Sequence, residues 1–210
     1  MMSIQTSKKK YLIYSIIGMV LFAFGCKKKL TREELISYLN EPMNGLVKEK
    51  VINGVDIQLQ VKHPDLYVDQ HLKAFPDSLR ETKLYELKKQ YEENLYLQLS
   101  LGINNNEILK ALVNTPQYTT MVNRLSFGMR DFVVLTTNNK DTLLLKSCTY
   151  VPTYGMAKHN SVLFVFDEQK IAQAESLKFR IKEMGLETGE VSFKLKTKDI
   201  KSIPNLNFNK

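Results

Sequence analysis

Three histidines and two cysteines are the residues of this sequence best suited to catalysis or metal binding. The densest cluster is the nine-residue segment from His63 to His71, which also contains Asp65 and Asp69. On a helix that begins after His63, the two aspartates share a face, whereas His71 points roughly 200° away from Asp69. Four ligands cannot converge from this segment alone, so we predict no metal site and no cofactor. The aspartates are interpreted as helix-dipole and solvent-exposed residues.

Cys148 and His159 form the other possible catalytic pair, because distance along the chain does not prevent contact in the fold. However, Cys148 lies in an expected strand, where a buried cysteine behaves as a small apolar residue. The sequence contains no Gly-x-Ser-x-Gly elbow, no phosphate-binding glycine loop and no dinucleotide fingerprint. We therefore predict no catalytic residue.

The segment from Val151 to Asn160 is the strongest candidate for a binding loop. It is longer than a hairpin needs, and it mixes aromatic, basic and polar side chains. Binding residues are often found on loops of this kind, although a loop without function can have the same composition. We predict Tyr154, Lys158 and His159 as its binding residues.

Cys26 follows a sequence with the features of an export signal. Lysines 8–10 precede a fifteen-residue apolar run, Tyr11–Gly25, and three more lysines follow the cysteine. This order is typical of a secretory signal peptide, whereas about 20 apolar residues are needed to span a bilayer. The sequence Ala23-Phe24-Gly25-Cys26 resembles the lipobox of bacterial lipoproteins, which implies lipidation of Cys26. The alternative is an uncleaved signal anchor with a chance cysteine.

The predicted organisation is a signal peptide at residues 1–25, a lipidated basic tether at 26–30 and one domain at 31–210. The composition, 43% hydrophobic and 25% charged, is that of a globular protein and excludes disordered and collagen-like chains. Three of the 30 basic residues fall in the signal peptide, so 27 remain against 22 acidic residues. This excess is too small to predict nucleic-acid binding.

The predicted domain is α+β, with a largely antiparallel sheet and helices packed on one face. Thr31 and Glu34 form a capping box for a helix that ends before Pro42. Asn53-Gly54 and the strict alternation that follows predict a type I′ hairpin. Further helices are predicted after Pro64 and Pro116, from Ser78 and through Ile108. Further strands are predicted at 95–101, 131–137, 142–150, 161–166, 177–182 and 191–196, the second and third joined as a hairpin by residues 138–141.

The chain resembles a group of generally uncharacterised lipoproteins from Bacteroidota-type bacteria. The resemblance covers most of the mature chain and implies a location in the cell envelope, but no reaction. It rests on Glu41-Pro42-Met43-Asn44-Gly45-Leu46, the Ile52-Asn53-Gly54 hairpin, Ser126-Phe127-Gly128-Met129 before a strand, and the Phe193 strand leading to Asp199-Ile200 and Ile203-Pro204.

Two classes of function follow from these observations. The first is a non-catalytic binding or scaffold module, anchored to the membrane by its N-terminal lipid and working with an envelope protein. Some surface-displayed lipoproteins that this chain resembles carry acidic residues just after the cysteine, and none occurs here before Glu33. The resemblance therefore implies a domain that faces the periplasm, and we expect it at the outer membrane. The alternative is a small envelope hydrolase or metal-dependent enzyme whose residues converge only in the fold. A concave pocket that holds a histidine beside a carboxylate would favour this alternative.

Overall fold

The computed structural model describes residues 29–208. Cys26 and the predicted signal peptide lie outside this range. The α-helices are α1 (Arg32–Asn40), α2 (Pro64–Leu72), α3 (Asp77–Tyr91), α4 (Ile108–Ala111), α5 (Gln117–Asn123) and α6 (Thr197–Lys201). The strands are β1 (Val47–Ile52), β2 (Val55–Lys62), β3 (Asn94–Ile103), β4 (Asn106–Glu107), β5 (Val133–Thr137), β6 (Leu145–Val151), β7 (Asn160–Asp167), β8 (Ser176–Ile181) and β9 (Val191–Lys196).

The capping box and the hairpin turn predicted near the start of the domain are both present. The Thr31 hydroxyl accepts a hydrogen bond from the Glu34 amide, and the Glu34 carboxylate accepts one from the Thr31 amide, so α1 begins with a capping box. Asn53 and Gly54 both have positive φ angles, 51° and 79°, between β1 and β2. These two angles confirm the predicted hairpin.

The larger sheet has the strand order β1-β2-β3-β7-β6, with the short β4 paired to β3. All of its pairings are antiparallel. In the register of β3 and β7, Leu97 lies opposite Phe164, and Leu95 lies opposite Phe166. All four side chains are buried, so one face of the sheet forms the centre of the core.

The predicted hairpin between β5 and β6 is present only at its turn, where Thr136 and Thr142 form an isolated antiparallel bridge. The turn exists, since Thr137 N–H donates to the carbonyl of Asp141 at 2.8 Å, but the two strands belong to different sheets. Asn138 explains the difference: its amide donates to the carbonyl of Ser176, and its side chain accepts from the amide of Glu175. These bonds hold the end of β5 beside β8, so β5 joins the smaller sheet β5-β8-β9.

Aromatic side chains link the elements across the core. The Phe179 ring of β8 lies 5.6 Å from the ring of Phe164, which joins the smaller sheet to the core face of the larger one. Tyr67 of α2 contacts Tyr96 of β3, with ring centroids 4.7 Å apart. Because Tyr96 alternates with Leu95 and Leu97, this helix packs on the opposite face of the larger sheet. The predicted α+β class, a single domain with a mostly antiparallel sheet, is confirmed.

The beginning of the domain is held by a segment from near its other end. Leu30 forms an isolated parallel bridge with Leu206, and its amide donates to the carbonyl of Asn205 at 2.9 Å. The buried carboxylate of Asp65 accepts from the amide of Leu206 at 2.8 Å. Within residues 29–208, no helix combines the length and the apolar character needed to cross a membrane.

Candidate functional site

A buried carboxylate organises the predicted binding loop. The Glu107 side chain is only 3% exposed and lies at the end of β4. Its Oε1 accepts from the Thr153 hydroxyl at 2.6 Å and from the Ala157 amide at 2.9 Å. Its Oε2 accepts from the Gly155 amide and from the Asn160 side-chain amide, both at 3.0 Å. Four donors of residues 153–160 therefore converge on one side chain.

Asn160 extends this network into the neighbouring elements. It is fully buried, and its Oδ1 accepts from the amide of Leu109 in α4 at 2.9 Å. Its Nδ2 also lies 3.0 Å from the hydroxyl oxygen of Tyr150 in β6. The loop is thus attached at once to a helix, to a strand and to the buried carboxylate.

The Glu107 carboxylate is charged but has no free acceptor position. Burial alone would raise the pKa of Glu107, but hydrogen bonds from Thr153, Ala157, Gly155 and Asn160 outweigh it and hold the pKa below its usual value. A carboxylate offers about four lone-pair sites, and four donors occupy them here. Glu107 therefore positions the loop and is not available as a general base or as a metal ligand.

The tip of the loop presents an aromatic side chain on a left-handed backbone. Tyr154 and Gly155 have φ angles of 53° and 80°, and the Met156 amide donates to the carbonyl of Thr153 at 3.0 Å. Two successive positive φ angles are the pattern of a type I′ turn. A bulky residue is rare in this conformation and costs on the order of 1–3 kcal/mol. The Tyr154 side chain is nevertheless 83% exposed, so it gains little from packing.

A groove of about 540 Å³ lies beneath this loop. Its volume falls within the range of roughly 300–1,000 Å³ that is common for ligand sites. Three tyrosines and several aliphatic side chains form most of its wall. The lining residues are Glu107, Leu109, Lys110, Val113, Tyr118, Val122, Tyr150, Pro152, Tyr154 and Gly155.

Only one of the three predicted binding residues contributes to the groove. Tyr154 lines it, whereas Lys158 and His159 are not among the described residues that do so. Lys158 is exposed, and the His159 ring packs over Gly102 of β3. A Cβ atom at Gly102 would lie 2.6 Å from Cδ2 of His159, so this ring occupies the space that the glycine leaves.

Glu107, Asn160 and Tyr118 are site residues that the sequence pattern does not reveal. Glu107 precedes its loop partners by at least 46 residues, and no local spacing connects them. One feature of the sequence could have pointed to Glu107, because this acid directly precedes the apolar pair Ile108-Leu109. If the carboxylate were buried with that pair, it would need hydrogen-bond donors from elsewhere in the chain.

The His63–His71 segment forms structural contacts, several of them with distant parts of the chain. The interpretation of both aspartates as solvent-exposed is wrong for Asp65, which is buried because it accepts a hydrogen bond from the Leu206 amide. Nδ1 of His63 accepts from the Asp65 amide at 3.2 Å and caps α2. Asp69 forms ion pairs with Arg32 and Lys73, and the side chains of His71 and Tyr91 are hydrogen-bonded at 2.6 Å. Among residues 29–208, no group of three or more histidine, cysteine or acidic side chains is arranged to hold a metal ion.

Cys148 has the properties of an unreactive thiol. It is half-buried in β6 and packs against the core. Burial raises the pKa of Cys148 to about 11, although the nearby Arg130 acts in the opposite direction. The thiolate is the nucleophilic form, so little of it is present at neutral pH.

No protein-family model, no curated protein and no solved structure matches this chain. The groove, the loop and the buried carboxylate are therefore the features from which a function can be inferred.

Proposed function

We propose that this protein is a non-catalytic binding module of the bacterial cell envelope, anchored through a lipid on Cys26, and that its groove binds an envelope protein. The observation that carries the proposal is the presentation of Tyr154. Its side chain is exposed above an aromatic groove, and the loop beneath it is held by four hydrogen bonds to Glu107.

The loop has the properties of a preorganised contact site. Its conformation is set by the buried carboxylate before any partner arrives, so less conformational freedom is lost on binding. Tyrosine is among the residues that most often carry the binding energy of protein interfaces. A strained backbone that presents an exposed tyrosine is better explained by recognition than by stability.

The surface near the groove suits a protein partner. Beside Tyr154, the exposed side chains of Val113, Tyr118 and Met156 are apolar or aromatic. Aromatic residues and methionine are enriched at protein interfaces, and the charged Lys110 at the groove can contribute to a polar rim.

The proposed location rests on the N-terminal sequence. A single acyl chain gives only marginal membrane binding, whereas the several chains of a lipoprotein give stable attachment. Because the acidic residues found after the cysteine in some surface-displayed lipoproteins do not occur here before Glu33, we place the anchored domain in the periplasm, at the outer membrane.

Site-specific photocrosslinking in cells tests the binding proposal. The photoreactive residue p-benzoylphenylalanine replaces Tyr154 in one variant and Tyr85 in the control. Tyr85 is 75% exposed on α3 and does not line the groove, so it matches Tyr154 in type and exposure. We expect one discrete protein adduct from position 154 that is lost with Tyr118→Ala, and no such adduct from position 85.

Complementation of a deletion strain provides the second measurement. Folded and membrane-anchored Tyr154→Ala should fail to restore the lost phenotype, and Tyr85→Ala should restore it. Equal crosslinking from both positions, or full complementation by Tyr154→Ala, would contradict the proposal.

One observation favours the alternative, a small envelope hydrolase. A pocket of about 160 Å³ is lined by His63 and Glu168, together with residues of β2 and β3. Burial lowers the pKa of His63 despite the nearby Asp65, and burial raises the pKa of Glu168 despite Lys201. A neutral imidazole that shares a pocket with a carboxyl group of raised pKa suits acid–base chemistry. The pocket is smaller than ordinary ligand sites, so we place this function second.

His63→Asn and Glu168→Gln distinguish the two functions. Asparagine can still cap α2 but has no imidazole, so the variant tests chemistry with little effect on folding. Both variants should complement the deletion strain if the protein is a binding module. A folded, anchored His63→Asn variant that behaves like the deletion would favour the hydrolase.

A further inference from the structure

The outer face of the smaller sheet is a basic surface. Along β8, Leu177, Phe179 and Ile181 are buried, so the alternating Lys178 and Arg180 point to the other face. A groove of about 840 Å³ crosses this face and shares no lining residue with the groove beneath Tyr154. The residues that line this basic groove include Thr136, Lys140, Lys178, Arg180, Ser192 and Lys194.

Two lysines face each other across neighbouring strands of this groove. Lys178 of β8 and Lys194 of β9 are directly paired in the register, and both are exposed. Like charges in this position destabilise a sheet. In the part of the chain that the structure describes, no acid forms an ion pair with these lysines, and no acid lines the groove.

Arg180 adds an unsatisfied donor to the same face. Its Nε is buried and has no hydrogen-bond partner within the described residues. A buried donor without a partner is costly, and native proteins contain few of them. Arg180 is paired in the register with Ser192, whose hydroxyl group also belongs to the groove.

Protection of sheet edges explains Lys194, which lies on the edge strand β9, but not the rest of this arrangement. Lysines often occupy edge strands, where they prevent pairing with other chains. The strand order is β5-β8-β9, so Lys178 and Arg180 lie on the central strand. A negatively charged ligand would account for the paired lysines and for the arginine together.

We propose that the basic groove binds a phosphate-type oxyanion, carried either by a lipid headgroup or by a soluble phosphorylated compound. Arginine and lysine are the side chains that most often bind phosphate, and their hydrogen bonds to a charged oxygen are strong. The hydroxyl groups of Thr136 and Ser192 supply further donors beside them. Lys140, on the turn after β5, brings a fourth positive charge to the rim.

Thermal unfolding of the full chain in a nonionic detergent tests this proposal. Inorganic phosphate is added in one series, and sodium chloride at the same ionic strength in the other. A ligand that binds only the folded state raises the unfolding temperature in a saturable way. We expect this rise with phosphate, and an apparent affinity about tenfold weaker in Arg180→Gln and in Lys194→Gln.

The control variant is Lys89→Gln, which removes the same charge from an exposed position on α3. Lys194 is exposed, so its variant should fold even if the partly buried Arg180 proves necessary for stability. Micelles that contain phosphatidylglycerol, compared with micelles that contain phosphatidylcholine, distinguish the two sources of phosphate. A rise only with phosphatidylglycerol would identify a lipid headgroup, and a rise with inorganic phosphate would show that the phosphate group alone is sufficient.

Two results would overturn the proposal. The first is the absence of any stabilisation by phosphate or by phosphatidylglycerol above the chloride and phosphatidylcholine controls. The second is an equal response in Lys194→Gln and Lys89→Gln, since nonspecific charge effects would then explain the stabilisation.

Discussion

Replacing Glu107 by glutamine should destabilise the domain and release the loop above the groove. Each carboxylate oxygen accepts two hydrogen bonds, one of them from a backbone amide of Gly155 or Ala157. In either orientation, the glutamine NH₂ group would replace one carboxylate oxygen. It would then face the two donors whose hydrogen bonds that oxygen accepts. With about 1–2 kcal/mol for each donor left without a partner, the free energy of unfolding should fall by about 2–4 kcal/mol.

The measurement combines chemical denaturation with amide hydrogen exchange. We expect a lower denaturation midpoint for Glu107→Gln and faster exchange at Gly155 and Ala157. The control is Glu81→Gln, which removes the same charge from an exposed position on α3. Since surface substitutions usually change stability by less than about 0.5 kcal/mol, this control should resemble the parent chain.

The dependence of stability on pH provides an independent test of the same contact. The pKa of Glu107 is lowered in the folded state, so its contribution is fully present above the ordinary glutamate pKa. That contribution is lost as the pH falls from about 4.5 through the folded-state pKa. Glu107→Gln should therefore show a weaker loss of stability in this acidic range. An unchanged midpoint, unchanged exchange and an unchanged acid response would refute the assigned role of Glu107.

Three further predictions concern other parts of the chain. Cys26→Ser should abolish lipid labelling and leave an unprocessed precursor, and an unaltered mass of the membrane-bound protein would contradict lipidation at this position. Gly54→Val should lower the free energy of unfolding by about 1–3 kcal/mol through backbone strain at a φ of 79°. A steric clash does not contribute, because a Cβ atom at this position has no neighbour within 4 Å. Gly54→Asn tolerates this angle and serves as its control, so an equal loss in both variants would exclude the strain explanation. Cys148 should react with iodoacetamide half-maximally near pH 11 in the folded state, as followed by mass spectrometry, and rapid labelling at pH 8 would contradict its burial.

Local signals in the sequence predict much of the fold. The capping box at Thr31 and the Asn53-Gly54 turn depend on residues a few positions apart, and both are found as predicted. The turn at residues 138–141 is also present, but its consequence is not local. Asn138 bonds to residues 175 and 176, and this distant contact decides which sheet receives β5.

The candidate site depends even more on distant contacts. Tyr154 was accessible to sequence reasoning because a long mixed loop is a common place for binding residues. Glu107 was not, because an isolated glutamate is usually exposed and its four donors come from a segment far along the chain. His159 lies on the predicted loop, but its ring packs against β3, in the space left by the absence of a side chain at Gly102.

The bridge between Leu30 and Leu206 sets the reach of the protein if Cys26 carries the lipid. Only residues 27–29 lie between Cys26 and Leu30, the first paired position, and the four steps along the chain span at most roughly 14 Å. A domain of 180 residues is about 40 Å across, so its groove must remain within roughly 55 Å of the bilayer. With this proposed anchor, a partner located deeper in the periplasm would have to extend toward the membrane, because the domain could not move further from it.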